Sequence, residues 1–330
     1  MTTGTAMPST LAKERTLDDQ YHTFLHDVIH GLRQAQKTLP CKYFYDARGS
    51  RLFEEICLLD EYYLTRTEYS ILRSSGKSIA EALSTYTEII EPGAGSCQKV
   101  QLLLKQLPTL PRYIPLEISV DALEHAITTL KERFPTLRVQ PVAGDFTAQA
   151  CLDEVSTLCQ SGRRLVFFPG STIGNFNRTE ALGVLRSLKA LAGPTGALLL
   201  GADLIKDRQR LLAAYDDKRG VTAEFNKNIL RRINHDLNAN FDVDDGFKHR
   251  AIFNEGLSRI EMQLVACREQ TVNVAGEKMD FHRGEVIHTE NSHKYSEQSI
   301  AELASAADME IHRAWKDPQG DFGVFLLGQK

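Results

Sequence analysis

Two glycines that follow a short apolar run are the first candidate for chemistry. They are Gly93 and Gly95 in the segment IIEPGAGS, which covers Ile89–Ser96. Glycine lets the backbone approach a ligand closely and adopt unusual φ values. A dinucleotide-binding GxGxxG loop needs a third glycine, and a pattern that starts at Gly93 has Gln98 at that position. The segment therefore predicts a ligand-binding loop that is not built for a pyrophosphate.

Acidic residues follow the next two apolar runs. Glu117 ends the second run, and Asp145 with Phe146 follows the third. A carboxylate at Glu117 could accept hydrogen bonds from two ribose hydroxyls, while Asp145 could accept one from an adenine amino group and Phe146 could pack on the ring. Together with the E-x-G-x-G loop, these residues predict a site for S-adenosylmethionine. The alternative is that both acids are helix N-caps or exposed loop residues.

These residues depend on an alternation of strands and helices. Strands are predicted over Tyr86–Ile90, Tyr113–Ile118, Leu137–Val142, Arg164–Phe168 and Ala197–Ala202. Helices are predicted over Leu17–Leu32, Val100–Gln106, Asp121–Phe134 and Thr179–Ala192. Such alternation favours a doubly wound parallel sheet, whose ligands bind at the carboxyl ends of the strands.

The alternation stops after Ala202. The remaining pattern indicates helix over Arg208–Asn238, a β-hairpin of Arg259–Cys267 with Gln270–Val274, a helix over Ser296–Ala307, and a terminal hairpin of Ile311–Trp315 with Phe322–Leu327. A terminal hairpin at the edge of a parallel sheet is typical of class I methyltransferases. We therefore predict an α/β fold with a class I (Rossmann-like) methyltransferase core and a second, inserted α+β substrate-binding domain. Residues 1–65 and 204–294 would form the substrate-binding domain, and residues 66–203 and 295–330 the core.

The composition excludes several classes of protein. The chain has 330 residues and a net charge of −4, without the basic surplus that nucleic-acid binding requires. Its six cysteines form no CxxC pair and no zinc-spaced cluster with histidine, so we expect no metal. No apolar run is long enough to span a membrane, and the N-terminus has no apolar signal region. We expect a cytoplasmic monomer that acts on a small molecule.

Long motifs identify a family. They are FYDARGSRLFEEI, EYYLTRTE, GSTIGN, AYDD with GVTAEFN, RIEM, HTENSHKY and DPQGDFG. From about Leu39 to the C-terminus the chain resembles the histidine-specific N-α-methyltransferases of ergothioneine biosynthesis. Those enzymes convert L-histidine to its trimethylbetaine, hercynine, with S-adenosylmethionine as the methyl donor.

The resemblance implies a role for individual residues. It implies that Tyr62 and Asn175 hold the α-amino group of histidine and that Tyr45 and Tyr215 bind around its carboxylate. It also implies that the imidazole lies near the residues Glu290, Ser292, Met262, Thr222 and Phe225, the first two of which would hydrogen-bond it. For the cofactor, it implies contacts with Gly93, Lys99, Glu117, Asp145, Phe146 and Gly170.

The residue types agree with N-methylation. The attacking amine must be neutral, and a carboxylate beside it would stabilise the protonated form. Neutral groups such as Asn175 and the tyrosine hydroxyls can orient the amine without that penalty. A carboxylate at Glu290 suits an imidazole N–H, and the hydroxyl of Ser292 can serve the other ring nitrogen.

Other interpretations stay open at this point. Tyr45 and Tyr62 could be core aromatics with hydroxyls at the surface, and Glu290 could be a solvated charge. Three features depart from the family pattern: Pro92, Pro169, and a glutamate rather than an aspartate at Glu117. The main alternative function is N-methylation of another free amino acid or small primary amine; related fungal enzymes act on a prenylated tryptophan. A nicotinamide-dependent oxidoreductase and a non-catalytic binding protein are further alternatives.

Overall fold

The computed structural model describes the backbone from Thr10 to Lys330 and the side chains from Gln20 onward. The start of the predicted first domain, residues 1–9, lies outside the described residues. The helices are α1 Thr10–Leu32, α2 Ala47–Cys57, α3 Tyr63–Ser74, α4 Gly76–Leu83, α5 Gln98–Leu104, α6 Val120–Arg133, α7 Gln149–Leu158, α8 Arg178–Ala192, α9 Arg208–Tyr215, α10 Val221–Asp236 and α11 Glu297–Ala306. Two short 3-10 helices cover Cys41–Phe44 and Thr172–Asn175.

The strands form three sheets. They are β1 Lys37–Thr38, β2 Glu88–Pro92, β3 Arg112–Glu117, β4 Val142–Ala143, β5 Arg164–Phe168, β6 Ala197–Asp203, β7 Phe247–Asn254, β8 Arg259–Ala266, β9 Gln270–Val274, β10 Glu277–Phe281, β11 Val286–His293, β12 Met309–Lys316 and β13 Phe322–Gln329. The largest sheet has seven strands in the order β12-β13-β6-β5-β2-β3-β4. A four-stranded sheet has the order β1-β11-β8-β7, and β9 and β10 form a two-stranded ribbon.

The seven-stranded sheet is doubly wound. Strands β4, β3, β2, β5 and β6 are parallel, and β13 and β12 extend the sheet as an antiparallel pair. The chain passes from β2 to β3 and β4 on one side, and then places β5 and β6 on the other side of β2. The strand order therefore reverses between β2 and β5, which is where ligands bind in such sheets. The predicted class I core and its terminal hairpin are confirmed.

Alternate residues along the central strands face two separate cores. In β5, Leu165 and Phe167 pack with α3, α4, α5 and α6, whereas Val166 and Phe168 pack with α7, α8 and α11. All four side chains are fully buried. Strands buried on both faces read as continuous apolar runs, which explains why the sequence locates them well. The rigid double core holds the carboxyl ends of the strands, where the predicted cofactor residues lie.

The chain divides into two compact units. One comprises Met1–Phe44, Ala223–Arg250 and Met262–Glu290, and the other comprises Tyr45–Thr222, Ala251–Glu261 and Asn291–Lys330. These bounds differ from the predicted domains, because residues 45–65, 204–222, 251–261 and 291–294 group with the seven-stranded sheet. The assignment of substrate binding to one domain stays a prediction.

The predicted hairpin of Arg259–Cys267 with Gln270–Val274 is wrong. The structure places β8 in the four-stranded sheet, and β9 pairs with β10 in antiparallel register instead. The link between β9 and β10 is Ala275-Gly276, and both residues have positive φ, 50° and 92°. Two-residue turns of that kind match the twist of a hairpin, so the tight turn forms there. Its Ala-Gly sequence is a weak signal, which is why the pairing was misassigned.

Two further element predictions need correction. The predicted helix over Arg208–Asn238 is broken into α9 and α10, because the Asp217 carboxylate accepts hydrogen bonds from the amides of Val221 (3.1 Å) and Thr222 (2.7 Å) and so starts a new helix. The predicted strand over Leu137–Val142 is reduced to β4, preceded by an isolated bridge between Val139 and Tyr113. Pro141 has no N–H to donate to the ladder, which interrupts the strand there.

None of the helices in the described part of the chain is both long and apolar enough to cross a bilayer.

Candidate active site

The loop after β2 holds the first cluster of predicted cofactor residues. Gly93 and Gly95 have φ values of 69° and 51°, and a Cβ built on Gly95 would meet no atom within 4 Å. Glycine is needed at Gly95 because of its backbone conformation, and the space above it is open for a ligand. The Gly95 amide donates to Glu117 Oε2 (2.8 Å), and the Ser119 amide donates to Glu117 Oε1 (3.1 Å). Glu117 is thereby oriented by two amides and retains acceptor capacity on both oxygens.

Asp145 and Phe146 lie in the loop after β4. Asp145 Oδ1 accepts hydrogen bonds from the amide (2.8 Å) and the hydroxyl (2.5 Å) of Thr147, which fix its carboxylate. The Phe146 ring packs edge-to-face on Phe168, with centroids 5.5 Å apart. Its edge is 3.6 Å from the place where a Gly93 Cβ would be, so the structure brings Gly93 and Phe146 together. An aromatic face beside a glycine loop and a fixed carboxylate fits an adenosine.

A buried glutamate joins the other two predicted cofactor residues. Glu68 on α3 is 1% exposed, and both of its oxygens accept from the Gly170 amide at 3.0 Å. The same carboxylate pairs with Lys99 Nζ at 2.7 Å. Burial alone lowers the pKa of Lys99, but the Glu68 carboxylate reverses this effect and the pKa is raised. A Cβ at Gly201 would collide with Glu68 Oε1, so the glycine in β6 makes room for the carboxylate.

The sequence analysis did not assign Glu68, although a signal exists. Glu68 lies on the buried face of α3 with Leu64, Ile71 and Leu72, at helical spacing. A glutamate on an apolar face is almost never buried without a partner. That position in the motif EYYLTRTE could therefore have been predicted to bind a cation.

Glu91, the acid of the E-x-G-x-G loop, is buried and hydrogen-bonded within the protein. Glu91 is 1% exposed, and the Tyr113 hydroxyl donates a hydrogen bond to its carboxyl group. Burial raises the pKa of Glu91 to about 8, although the hydrogen bond from Tyr113 acts in the opposite direction. Glu91 thus holds a proton at neutral pH, and it is part of the buried strand β2 that supports the glycine loop.

Aromatic rings connect three of the predicted acceptor residues. Tyr45 packs against Phe53 (5.7 Å between centroids), Phe53 against Tyr62 (6.2 Å), and Tyr62 against Tyr215 (6.0 Å). All three contacts are edge-to-face, the preferred aromatic geometry. Tyr62 and Tyr215 are buried and Tyr45 is half-buried. The contacts join Tyr45, Tyr62 and Tyr215 into one row of rings, with Phe53 as a member that the sequence analysis did not assign.

Asn175 ends the 3-10 helix that follows β5, and it is half-buried. Two contacts fix the position of that helix. Ser171, at its start, has a φ of 59° and accepts a hydrogen bond from the Asp203 amide at 2.9 Å. A Cβ at Gly174 would be 2.9 Å from the His293 carbonyl oxygen, so the end of β11 passes close to the helix. The Asn175 side chain is therefore held by a rigid backbone.

Tyr215 and Ser292 are bonded directly to each other. Their hydroxyl oxygens are 2.6 Å apart, and both accept from Lys294 Nζ, at 3.0 Å and 2.8 Å. Burial raises the pKa of Tyr215, although the nearby Lys294 ammonium acts to lower it. The resemblance assigned Tyr215 to the carboxylate and Ser292 to the imidazole of the substrate, so the structure joins two predicted contacts. Lys294 itself was not assigned a role, although it belongs to the motif HTENSHKY.

The remaining predicted residues lie on β8, β11 and α10. Met262 on β8 is buried, and its carbonyl oxygen accepts from the Thr289 hydroxyl on β11 at 3.0 Å. Glu290 follows Thr289 and is half-buried; because side chains alternate along a strand, Glu290 and Ser292 point to the same side of β11. Phe225 on α10 is buried against Phe44, with centroids 4.7 Å apart.

Thr222 lies in the first turn of α10, where its amide binds Asp217 and its side chain is buried. Across the part of the chain that the structure describes, no group of three or more histidine, cysteine, aspartate or glutamate side chains is placed to hold a metal ion.

The strand order and the glycine loop define the class of protein: a class I S-adenosylmethionine-dependent methyltransferase. The model of the family described as "Histidine-specific methyltransferase, SAM-dependent" matches residues 24–329. The chain belongs to that family.

Named relatives agree with this membership. The chain is 41% identical to histidine N-alpha-methyltransferase from Mycolicibacterium smegmatis, over 97% of this chain and 99% of the relative. It is 39% identical to the protein of the same name from Mycobacterium tuberculosis, over 94% of this chain and 97% of the relative. Ergothioneine biosynthesis protein 1 from Neurospora crassa is 29% identical over 90% of this chain, which spans 34% of that longer protein.

Replacing Glu68 should weaken the cofactor site. Glu68→Gln keeps the shape but removes the charge that holds Lys99, so we expect the Kd for S-adenosylmethionine, measured by calorimetry, to rise about tenfold. Glu81→Gln, at an exposed position on α4, is the matched control and should change the Kd by less than about twofold. An unchanged Kd in the folded Glu68→Gln protein would show that the Glu68 contacts do not support cofactor binding.

Replacing Glu91 should make stability less dependent on pH. The folded pKa of about 8 exceeds the ordinary value of 4.5, so between these values the folded state holds a proton that the unfolded state has released. Stability therefore falls with rising pH across that window, by up to about 1.4 kcal/mol per pH unit from this group. Relative to the wild type, Glu91→Gln should be progressively stabilised from pH 4.5 to about 8, and constant above it. Denaturant unfolding across this range tests the prediction, and a parallel pH dependence in both proteins contradicts it.

Proposed function

We propose that this chain transfers three methyl groups from S-adenosylmethionine to the α-amino nitrogen of L-histidine and so forms hercynine. The observation that carries the proposal is the similarity to histidine N-alpha-methyltransferases over nearly the whole of both chains. The geometry of the described residues is consistent with it. The cofactor loop and Asn175 follow strands of one sheet, and Tyr62, in the aromatic row, caps α3, which packs against that sheet.

The cofactor is proposed to lie on the residues that the structure places around Gly93 and Gly95. Glu117 would bind the ribose hydroxyls, and Asp145 with Phe146 would bind the adenine. Lys99 and the Gly170 backbone, both held by Glu68, would bind the amino-acid end. When bound, S-adenosylmethionine supplies a methyl group on a sulfonium, which a nucleophile can displace in line.

The acceptor residues are proposed to present a neutral amine. A free α-amino group has an ordinary pKa of about 8 or above, and partial burial beside a positive charge lowers it. Tyr62 and Asn175 can hydrogen-bond this amine through neutral groups, which do not favour its protonated form. Orientation of the nitrogen toward the methyl group then supplies most of the rate enhancement, since the reaction needs no covalent intermediate.

Selectivity for histidine is proposed to depend on Glu290. Its carboxylate would accept a hydrogen bond from an imidazole N–H, with Met262 beside the ring and Ser292 at the other ring nitrogen. Thr222 and Phe225 are proposed to lie nearby. Most of these contacts fall within residues 1–65 and 204–294, which supports the proposal that those segments supply the substrate contacts. We also propose that the protein works as a monomer in the cytoplasm.

Mass spectrometry of reaction products tests the function directly. The purified protein is incubated with S-adenosylmethionine and a panel of the common amino acids. We expect a gain of up to three methyl groups on L-histidine alone, with one S-adenosylhomocysteine released for each methyl. Methylation of a different amino acid, with histidine unchanged, would replace the proposed substrate; no methylation at all would reject the activity.

Reciprocal substitutions test the two halves of the proposed site. Glu290→Ala removes the imidazole partner, so we expect the KM for histidine to rise by about 10- to 100-fold, while the Kd for S-adenosylmethionine changes by less than about threefold. Asp145→Ala serves as the matched control: we expect its Kd for S-adenosylmethionine to rise while its KM for histidine changes little. Kinetics and calorimetry on both variants give the measurement. A loss of cofactor binding in Glu290→Ala equal to its loss of histidine binding would remove Glu290 from the imidazole site.

A further inference from the structure

A fully buried lysine stands behind two of the proposed acceptor residues. Lys294 has no exposed side-chain surface, and its Nζ pairs with Asp203 Oδ2 at 2.7 Å. The same ammonium donates to the hydroxyls of Tyr215 (3.0 Å) and Ser292 (2.8 Å). Burial alone lowers the pKa of Lys294, but Asp203 more than compensates, and the pKa is raised. Lys294 is therefore charged, and it donates one of its three protons to each of these partners.

Asp203 is shared between two lysines. Lys206 Nζ lies 2.5 Å from Asp203 Oδ1, and the Tyr63 hydroxyl also donates to this carboxylate, at 2.8 Å. Lys206 in turn donates to Tyr63 at 2.8 Å. One buried carboxylate thus faces two ammonium groups, Lys294 and Lys206.

The two lysines differ in what else they contact. Lys206 interacts electrostatically with Asp321, which forms an ion pair with Arg210 at 2.5 Å. Lys294 instead bonds the hydroxyls of Tyr215 and Ser292, so its charge lies directly behind them. A carboxylate bound at these hydroxyls would be attracted by that charge, whereas a neutral group would not.

Lys294 also restricts how the two hydroxyls can bond. Lysine only donates, so the oxygens of Tyr215 and Ser292 both act as acceptors toward Lys294. The two oxygens are 2.6 Å apart, so one of the hydroxyls donates to the other. A hydroxyl that accepts from an ammonium is a stronger donor in its turn, because hydrogen bonds in a chain polarise one another.

We propose that Lys294 is a positioning residue for the substrate carboxylate: it holds the bonded pair of Tyr215 and Ser292 with its charge behind Tyr215, and thereby selects α-amino acids over amines that lack a carboxylate. This inference rests on the proposed function. It differs from a role for Tyr215 alone, because the charge that distinguishes a carboxylate from a neutral group comes from the lysine. Lys294 itself does not touch the substrate.

Substrate pairs that differ only in the carboxylate test the proposal. L-Histidinol carries an alcohol in place of the carboxylate of L-histidine, and the ratio of kcat/KM for the two substrates measures discrimination. Lys294→Gln keeps a hydrogen-bond donor but removes the charge, and Lys294→Met removes both. We expect the ratio to fall by about 10- to 100-fold in each variant, mainly through a higher KM for histidine, with the Kd for S-adenosylmethionine changed by less than about threefold. Lys294→Arg should recover part of the ratio.

Lys206→Met is the matched control. It removes the other lysine on Asp203 but leaves the contacts of Lys294 with Tyr215 and Ser292, so the ratio should change by less than about threefold. A purely structural role for the charged cluster would make both lysine variants lose discrimination equally, or neither, and either result overturns the proposal. Recovery of full discrimination in Lys294→Gln also overturns it, since a neutral donor would then suffice.

A double-mutant cycle covers the case in which a Lys294 variant does not fold. If Lys294 acts through the hydroxyls, its effect and that of Tyr215→Phe should be strongly non-additive. Should no Lys294 variant fold, the Tyr215→Phe/Ser292→Ala enzyme decides: retained discrimination overturns the proposal, and its loss supports the route through these hydroxyls. Failure of the proposed function is distinct, because the wild type would then not methylate histidine at all.

Discussion

The carboxylate of Glu68 is the contact on which the predicted cofactor site depends most. It reaches from α3 to the carboxyl end of β5, where it binds the Gly170 amide, and it pairs with Lys99 at the start of α5. The end of β5 and the start of α5 flank the point where the strand order reverses. A buried carboxylate with a charged partner and an amide donor is well compensated, whereas the loss of one partner leaves an expensive charge. Glu68 therefore keeps the loop after β5 and the start of α5 at a fixed separation.

A second buried acid, Asp203, performs a comparable task at the end of β6. Its amide donates to Ser171. Its carboxylate accepts a hydrogen bond from Tyr63 and pairs with Lys206 and Lys294. Glu68 and Asp203 thus fix the ends of the neighbouring strands β5 and β6. The two ammonium groups on Asp203 contrast with Glu91 below the glycine loop, whose carboxyl group holds a proton because burial raises its pKa to about 8.

Much of the fold, and the elements that carry the candidate cofactor residues, could be predicted from local patterns. The strand over Arg164–Phe168 was predicted with the bounds that the structure has, because a strand buried on both faces is a continuous apolar run. The terminal hairpin and Glu117 at the end of β3 were found for a similar reason. The errors lie where a single side chain or turn overrides the pattern: Asp217 divides a helix, Pro141 shortens a strand, and Ala275-Gly276 redirects a hairpin.

By itself, the sequence determined the order of the elements, the position of the glycine loop and the family, because these depend on spacing along the chain. Only the tertiary structure decided which charged residues share a partner. Glu68 is 31 residues from Lys99, and Lys294 is 91 residues from Asp203, so no local pattern joins them. Burial then turns these distant pairs into strong interactions, since water no longer screens them. The glycine loop can therefore be located from the residue pattern alone, whereas the buried ion pairs that fix the surrounding loops and hydroxyls cannot.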